Sequence, residues 1–165
     1  MKRTLFLVRH AKSSWLNPEL ADFERPLNDR GLNNAPFMGE FLRKQNLIPS
    51  VIVSSPAARA RHTAELFKEG GHFDAEIVFE PKIYEASTNT LREVVMNLSD
   101  AYETVMLVGH NPGMEGFVRF VSGSNETMPT ASVAVVDLEL KSWIDLHAEC
   151  CTLRHIYRPK ELTRV

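Results

Sequence analysis

No run of apolar residues in this 165-residue sequence approaches the roughly 18 needed to cross a bilayer. The apolar run near the amino end, Leu5 to Val8, is broken at once by Arg9, His10 and Lys12. A secretory signal needs about 7–15 apolar residues there. The chain is therefore expected to act in the cytoplasm, away from membranes. An excess of one charge is missing too: 19 Lys and Arg stand against 21 Asp and Glu, for a net charge of −2. That balance excludes a global basic field of the kind that gathers nucleic acid. Any affinity for phosphate must come from a local cluster. Cysteine is scarce, with only Cys150 and Cys151, adjacent in sequence. Strand neighbours point to opposite faces, so these are expected as two reduced thiols that do not pair with each other. No HxxxH or Cys-rich spacing offers a metal site, and no cofactor motif appears. Repeats, low-complexity tracts and linkers are absent, so residues 1–165 read as one domain.

What the sequence does contain is an alternation of apolar strands and amphipathic helices. Thr4–Val8, Ser50–Val53, Ile77–Phe79 and Thr104–Val108 read as short strands. Helices are predicted from near Gly31, capped by Asp29, to Asn46, then over Ala57–Lys68 and Ser87–Leu98, and a last one runs through Val121 after a sharp turn at 109–113. Ser54-Ser55-Pro56 reads as a helix cap followed by proline, and Gly70-Gly71 as a helix end. Ala131–Leu140 and Ile144–Leu153 read as an antiparallel hairpin. The pattern predicts an α/β fold, a three-layer α/β/α sandwich around a mostly parallel sheet, with right-handed crossovers.

Three of the apolar strands lead directly into phosphate-binding chemistry. TLFLV runs into Arg9-His10, SVIV into Ser54-Ser55-Pro56 and then Arg59, and TVMLV into Gly109-His110-Asn111. Ligands of open α/β sheets bind outside the carboxyl ends of parallel strands, so these groups should converge on one pocket. Arginine offers a planar fork of donors that matches phosphate oxygens in pairs. Helix N-termini after Ser55 and Asn111 would add backbone N–H groups. A histidine can act as nucleophile when one ring nitrogen is unprotonated and the other is held by an acceptor. A backbone carbonyl in the turn after His10 could be that acceptor. Two histidines flanked by two arginines make a poor cation site, because the guanidiniums repel a metal.

LVRHAKSSW resembles the Arg-His signature of the histidine phosphatase superfamily, whose fold is phosphoglycerate mutase-like. Ala11 comes after the histidine where most members carry Gly, as in the SixA-type phosphohistidine phosphatases. RPLNDRG (25–31), SSPAARARHTA (54–64), IYEAS (83–87) and VGHNPGM (108–114) then appear in family order. The resemblance implies that His10 is phosphorylated transiently, that Arg9 and Arg59 bind the phosphoryl group, and that His110 donates to its oxygens. Ser13 matches a position that often touches phosphate, and Glu85 the region supplying a general acid in ester-cleaving members. The short stretch from Glu85 to His110 implies a minimal cap and an open site.

Bland readings stand beside several of these. Ser13 could be an ordinary turn serine, Glu85 a loop carboxylate, and Lys12 and Arg25 either a substrate rim or exposed surface charges. His62 reads as structural or rim, Arg61 as solvated, and Trp15 and Trp143 as packing residues. The expected activity is a metal-independent, cofactor-free phosphatase. Its partner would be a phosphorylated protein, such as a phosphohistidine-carrying domain. Alternatives are a broad small-molecule phosphomonoesterase or a non-catalytic phosphate-binding module; a mutase fits less well without a cap.

Overall fold

The computed structural model describes residues 2–162. Ten principal elements alternate along it: β1 (Lys2–Arg9), α1 (Asp29–Lys44), β2 (Val51–Ser54), α2 (Ala58–Gly71), β3 (Glu76–Phe79), α3 (Thr88–Met96), β4 (Thr104–Gly109), α4 (Gly113–Ser122), β5 (Val133–Glu139) and β6 (Cys151–Tyr157). They form one sheet in the order β3-β2-β4-β1-β5-β6. β3, β2, β4 and β1 pair in parallel, while β5 runs antiparallel to β1 and β6 antiparallel to β5. Among the described residues no helix is long and apolar enough to cross a membrane.

The central strands are apolar without alternation because both of their faces are buried. Side chains still alternate by face. Leu5 and Leu7 of β1, with Val105 and Leu107 of β4, join the core layer under α3 and α4. Phe6 and Val8, with Met106 and Val108, join the layer under α1 and α2. The sheet is thus covered on both faces, as the alternating pattern predicts.

α1 and α2 pack through glycines. A Cβ on Gly39 would collide with the backbone of Phe67, and one on Gly70 with the backbone of Pro36. Gly39→Ala is expected to destabilise the fold by about 1–3 kcal/mol through overpacking, although alanine favours helix. Urea unfolding checks this; an unchanged midpoint would contradict the packing.

Several boundaries differ from the sequence expectation. α1 begins two residues earlier, capped by Asn28, whose side chain accepts from the Gly31 N–H. Pro36 therefore lies in mid-helix. α2 starts at Ala58 with Ala57 at the cap position, while Ser55 Oγ accepts from the Ala57 N–H at 3.2 Å and also meets His110 Nε2. Gly70 and Gly71 lie inside α2, and His72 adopts the left-handed conformation that ends it. Here close packing against α1, rather than chain reversal, explains Gly70. The last strand begins at Cys151, not Ile144, since Trp143–Asp145 forms a 3-10 turn that buries Trp143. Cys150 precedes β6 and comes directly after Glu149, whose φ is 55°. Strand alternation therefore does not separate the two cysteines: both are free, half-buried, and their sulfurs lie 3.0 Å apart.

Candidate active site

The carboxyl ends of β1, β2 and β4 finish level with one another. Arg9 is registered with Gly109, and Ser54 with Val108. Just beyond, the His10 N–H donates to Gly109 O at 3.0 Å and the Ser55 N–H to Val108 O at 3.0 Å. Three loops thus leave the sheet at the same height, which brings Arg9, His10, Arg59 and His110 together. A cleft of about 250 Å3 is lined by Arg9, His10, Lys12, Ser13, Arg59 and His110, with Trp15, Arg25, Asn111 and Thr130 completing it. The rings of His10 and His110 stand 5.1 Å apart, tilted by 56°.

Local bonds set the state of each imidazole. His10 Nδ1 lies 2.8 Å from Ala11 O. A carbonyl only accepts, so Nδ1 carries the proton and a neutral ring keeps its lone pair on Nε2. Ala11 is itself tied down, its N–H donating to Thr63 Oγ1. Burial pushes His10 down to about 3; the Ala11 carbonyl opposes this, and nearby His110, Arg59 and Arg9 reinforce it. His110 Nε2 lies 2.8 Å from Ser55 Oγ. Burial, then the charge of Arg59, lowers His110 to about 4.

Both rings are therefore neutral near pH 7. Neither imidazole is expected to titrate between pH 5 and 8, which 15N NMR of the ring nitrogens checks; a midpoint near 6.5 would contradict the burial. Stability acquires a pH dependence from the same burial. The unfolded chain takes up protons at these histidines near the ordinary value of 6.5, while the folded chain holds out to about 3 and 4. Their contribution to stability is thus lost as pH falls below about 6.5.

The guanidiniums occupy the cleft walls. Arg9 donates through Nη1 to Met128 O at 3.0 Å. Arg59, in the first turn of α2, donates Nη1 to Asp22 O at 2.7 Å and Nη2 to Asp22 Oδ2 at 2.9 Å. The Arg9 and Arg59 Nε atoms and His110 Nδ1 are buried without a hydrogen-bond partner. Buried polar atoms are ordinarily satisfied, so these three are free to meet a polar ligand. Arg and His side chains suit an anion.

Asp22 and Tyr84 complete the site and were not singled out from the sequence. The Tyr84 hydroxyl donates to Asp22 Oδ2 at 2.6 Å, and Arg25 Nε to Asp22 Oδ1 at 3.2 Å. Tyr84, first, and Arg59 hold the Asp22 carboxyl down at about 2, while desolvation and Asp22 raise Tyr84 to about 12. The Tyr84 ring also meets His110 edge-on at 5.5 Å. Asp22 lies in a polar loop with no periodicity to mark it; only its arrival opposite Arg59 gives it meaning.

The remaining predicted residues are spread between the cleft, its wall and the surface. Ser13 lies in the cleft, its Oγ accepting from Arg25 Nη1 at 2.7 Å. Arg25 is buried in the wall, deeper than a rim or surface charge. Lys12 is exposed at the mouth. Glu85 is exposed beside Tyr84 and does not line the cleft. His62 is half-buried on α2 outside it, and Arg61 lies 3.9 Å from Glu65. Trp15 is not a packing residue; it lies exposed over Arg25, whose guanidinium carbon is 3.5 Å from the ring centroid. The start of α4 offers fewer free N–H groups than expected, because Met114 N donates to His110 O and Glu115 N to Asn111 Oδ1. Among the described residues no cluster of three His, Cys, Asp or Glu side chains is placed to hold a metal.

Comparison with known proteins matches this arrangement. The model of the histidine phosphatase superfamily (branch 1) matches residues 5–97. An uncharacterized chloroplastic protein of Arabidopsis thaliana is 31% identical over 157 residues, covering 90% of this chain and 72% of that one. An uncharacterized protein of Mycobacterium tuberculosis is 29% identical, covering 93% of this chain and all of the relative. Among solved structures, the candidate phosphohistidine phosphatase SixA of Agrobacterium tumefaciens superposes with a TM-score of 0.82 at 28% identity, covering 95% and 98% of the two chains. A SixA counterpart from Nakamurella multipartitia gives 0.83 at 26%, covering 96% and 97%. The chain is a phosphatase of the histidine phosphatase superfamily (branch 1), of the SixA type.

Proposed function

We propose that this phosphatase removes phosphoryl groups from histidine on proteins, working as one domain over residues 1–165 and passing through a phosphohistidine at His10. The observation that carries this reading is the Ala11 carbonyl on His10 Nδ1, which leaves the Nε2 lone pair available in a cleft walled by arginines. His10 Nε2 attacks phosphorus. The bond to the leaving imidazole breaks, and that nitrogen takes up a proton. Water then attacks the phosphorus on His10, releasing inorganic phosphate and regenerating the ring. Arg9, Arg59 and His110 bear the charge on the phosphoryl oxygens as it spreads in each transition state, with Ser13 as a further ligand. These groups replace a cation, so the reaction needs neither metal nor cofactor.

An imidazole leaving group needs less help from an acid than an alkoxide does. This fits a site where Asp22, the carboxylate bonded to Arg59, stays ionised and the proposed acid, Glu85, does not line the cleft. A broad phosphomonoesterase would depend on Glu85 far more. We place the enzyme in the cytoplasm, where a reducing pool keeps the thiols of Cys150 and Cys151 unpaired.

The test compares kcat/KM on a protein carrying phosphohistidine with that on sugar phosphates, with EDTA present throughout and tungstate as inhibitor. The reading expects the phosphoprotein to be preferred by more than tenfold, activity to survive EDTA, and tungstate to inhibit. Preference for the sugar phosphates would favour the phosphomonoesterase, and loss of activity in EDTA would defeat metal independence.

A further inference from the structure

Beside the phosphoryl cleft lies a larger groove, about 780 Å3, between the loop after His10 and the first turn of α1. Lys12, Ser13 and Trp15 line both, so the two are continuous. Its outer wall presents Trp15, 71% exposed, and Leu16, 94% exposed. Leu20 and Pro26 extend the apolar lining. Large apolar side chains scattered singly on a surface are ordinary, but two adjacent ones bordering a catalytic cleft mark an interaction surface.

The groove also has a charge preference. Lys12 and Arg30 line it, both exposed, and neither forms an ion pair among the described residues. Asp29 is the one carboxylate among the lining residues described. A smaller crevice, on the side toward Thr130 of the cleft, shares Arg30 and adds exposed Lys160, together with Arg158 and Glu161, which pair with each other at 3.5 Å. In a chain of net charge −2, this edge is locally cationic. Unpaired cations around an apolar floor suit a partner carrying carboxylates around an apolar side chain.

We propose that this groove docks the acidic, apolar flank of the protein segment that carries the phosphorylated histidine, so that specificity is set beside the cleft and not within it. The proposal rests on the phosphohistidine reading above. Docking lowers KM for a protein substrate while leaving the chemistry at His10 untouched. A small P–N compound fills only the cleft and gains nothing from the groove.

The experiment uses two synthetic peptides with one central phosphohistidine, flanked either by Asp and Leu or by Lys and Ser, together with phosphoramidate. The wild-type chain is expected to turn over the acidic peptide with kcat/KM about tenfold above the basic one, the scale of a rim of opposite charges plus one buried leucine. In L16D/R30E the preference should shrink to about twofold or less, with phosphoramidate turnover unchanged. Neither residue touches the cleft, and both side chains are exposed, so the fold should tolerate the change. Equal turnover of the two peptides by the wild type, or a preference that survives in the double variant, overturns the docking proposal alone. A parallel fall on phosphoramidate also overturns it, since the substitutions would then act through the cleft. Turnover of phosphoramidate but of neither peptide defeats the protein-phosphohistidine reading and the groove with it.

Discussion

His10→Ala is expected to abolish turnover on every phosphorylated substrate while leaving a folded protein that still binds phosphate. The expectation comes from what the ring alone supplies. Its Nε2 is the one nitrogen in the cleft whose lone pair is assigned by a bond at the other end of the ring, Nδ1 to Ala11 O. Replacing the ring removes the proposed nucleophile and leaves Arg9, Arg59 and His110, the proposed phosphoryl ligands, in place. Removal of a covalent nucleophile commonly costs many powers of ten, because the residual site only binds and stabilises charge. The fold should survive, since the side chain lies at a loop after β1 and the Ala11 N–H keeps its bond to Thr63. Two readouts separate the roles. Wild-type protein mixed with a phosphorylated substrate should carry acid-labile phosphate on His10, and the variant none. Retained turnover by the variant would eliminate the covalent route.

Arg59→Ala is expected to lower kcat by about 10²–10³-fold, the usual cost of losing one preorganised donor to a developing anion. The consequence is wider than one lost contact. Arg59 also spans Asp22, giving Nη1 to its carbonyl and Nη2 to its carboxylate. With the guanidinium gone, Asp22 keeps Tyr84 and Arg25 but is an anion with less compensation near His110. The carboxyl, now held at about 2, should therefore titrate higher. The variant is thus expected to weaken phosphate binding as well as slow the chemistry. Arg59→Lys keeps the charge but loses the two-pronged geometry, and should recover only part of the rate. An unchanged rate in Arg59→Ala would assign the phosphoryl group to other cations, with Arg25, buried in the same wall, the first to test.

Much of the candidate site is legible in the sequence because its chemistry sits immediately after strands. Apolar runs of four or five residues announce buried strands, and a polar residue directly after such a run must emerge at the sheet's edge. Arg9, His10 and His110 obey that rule, and Arg59 is reached by one further turn of helix. Boundaries were less legible where side chains answered to partners distant in sequence. Ser55 reads locally as a cap, yet its hydroxyl meets His110, 55 residues away. Gly70 reads as a helix end, yet it lets α1 approach α2. Trp15 reads as a packing residue, yet it lies exposed over a buried arginine.

By itself, the sequence determined the layered α/β architecture and the residue types gathered at the candidate site. Those properties depend on periodicity and on the residues directly after each strand, both of which are local. Only the tertiary structure decided which acceptor holds His10, which carboxylate shares Arg59, and where the apolar groove opens beside the cleft. Those depend on distances between segments far apart in the chain, which strand order and helix packing set and which no short window of sequence encodes.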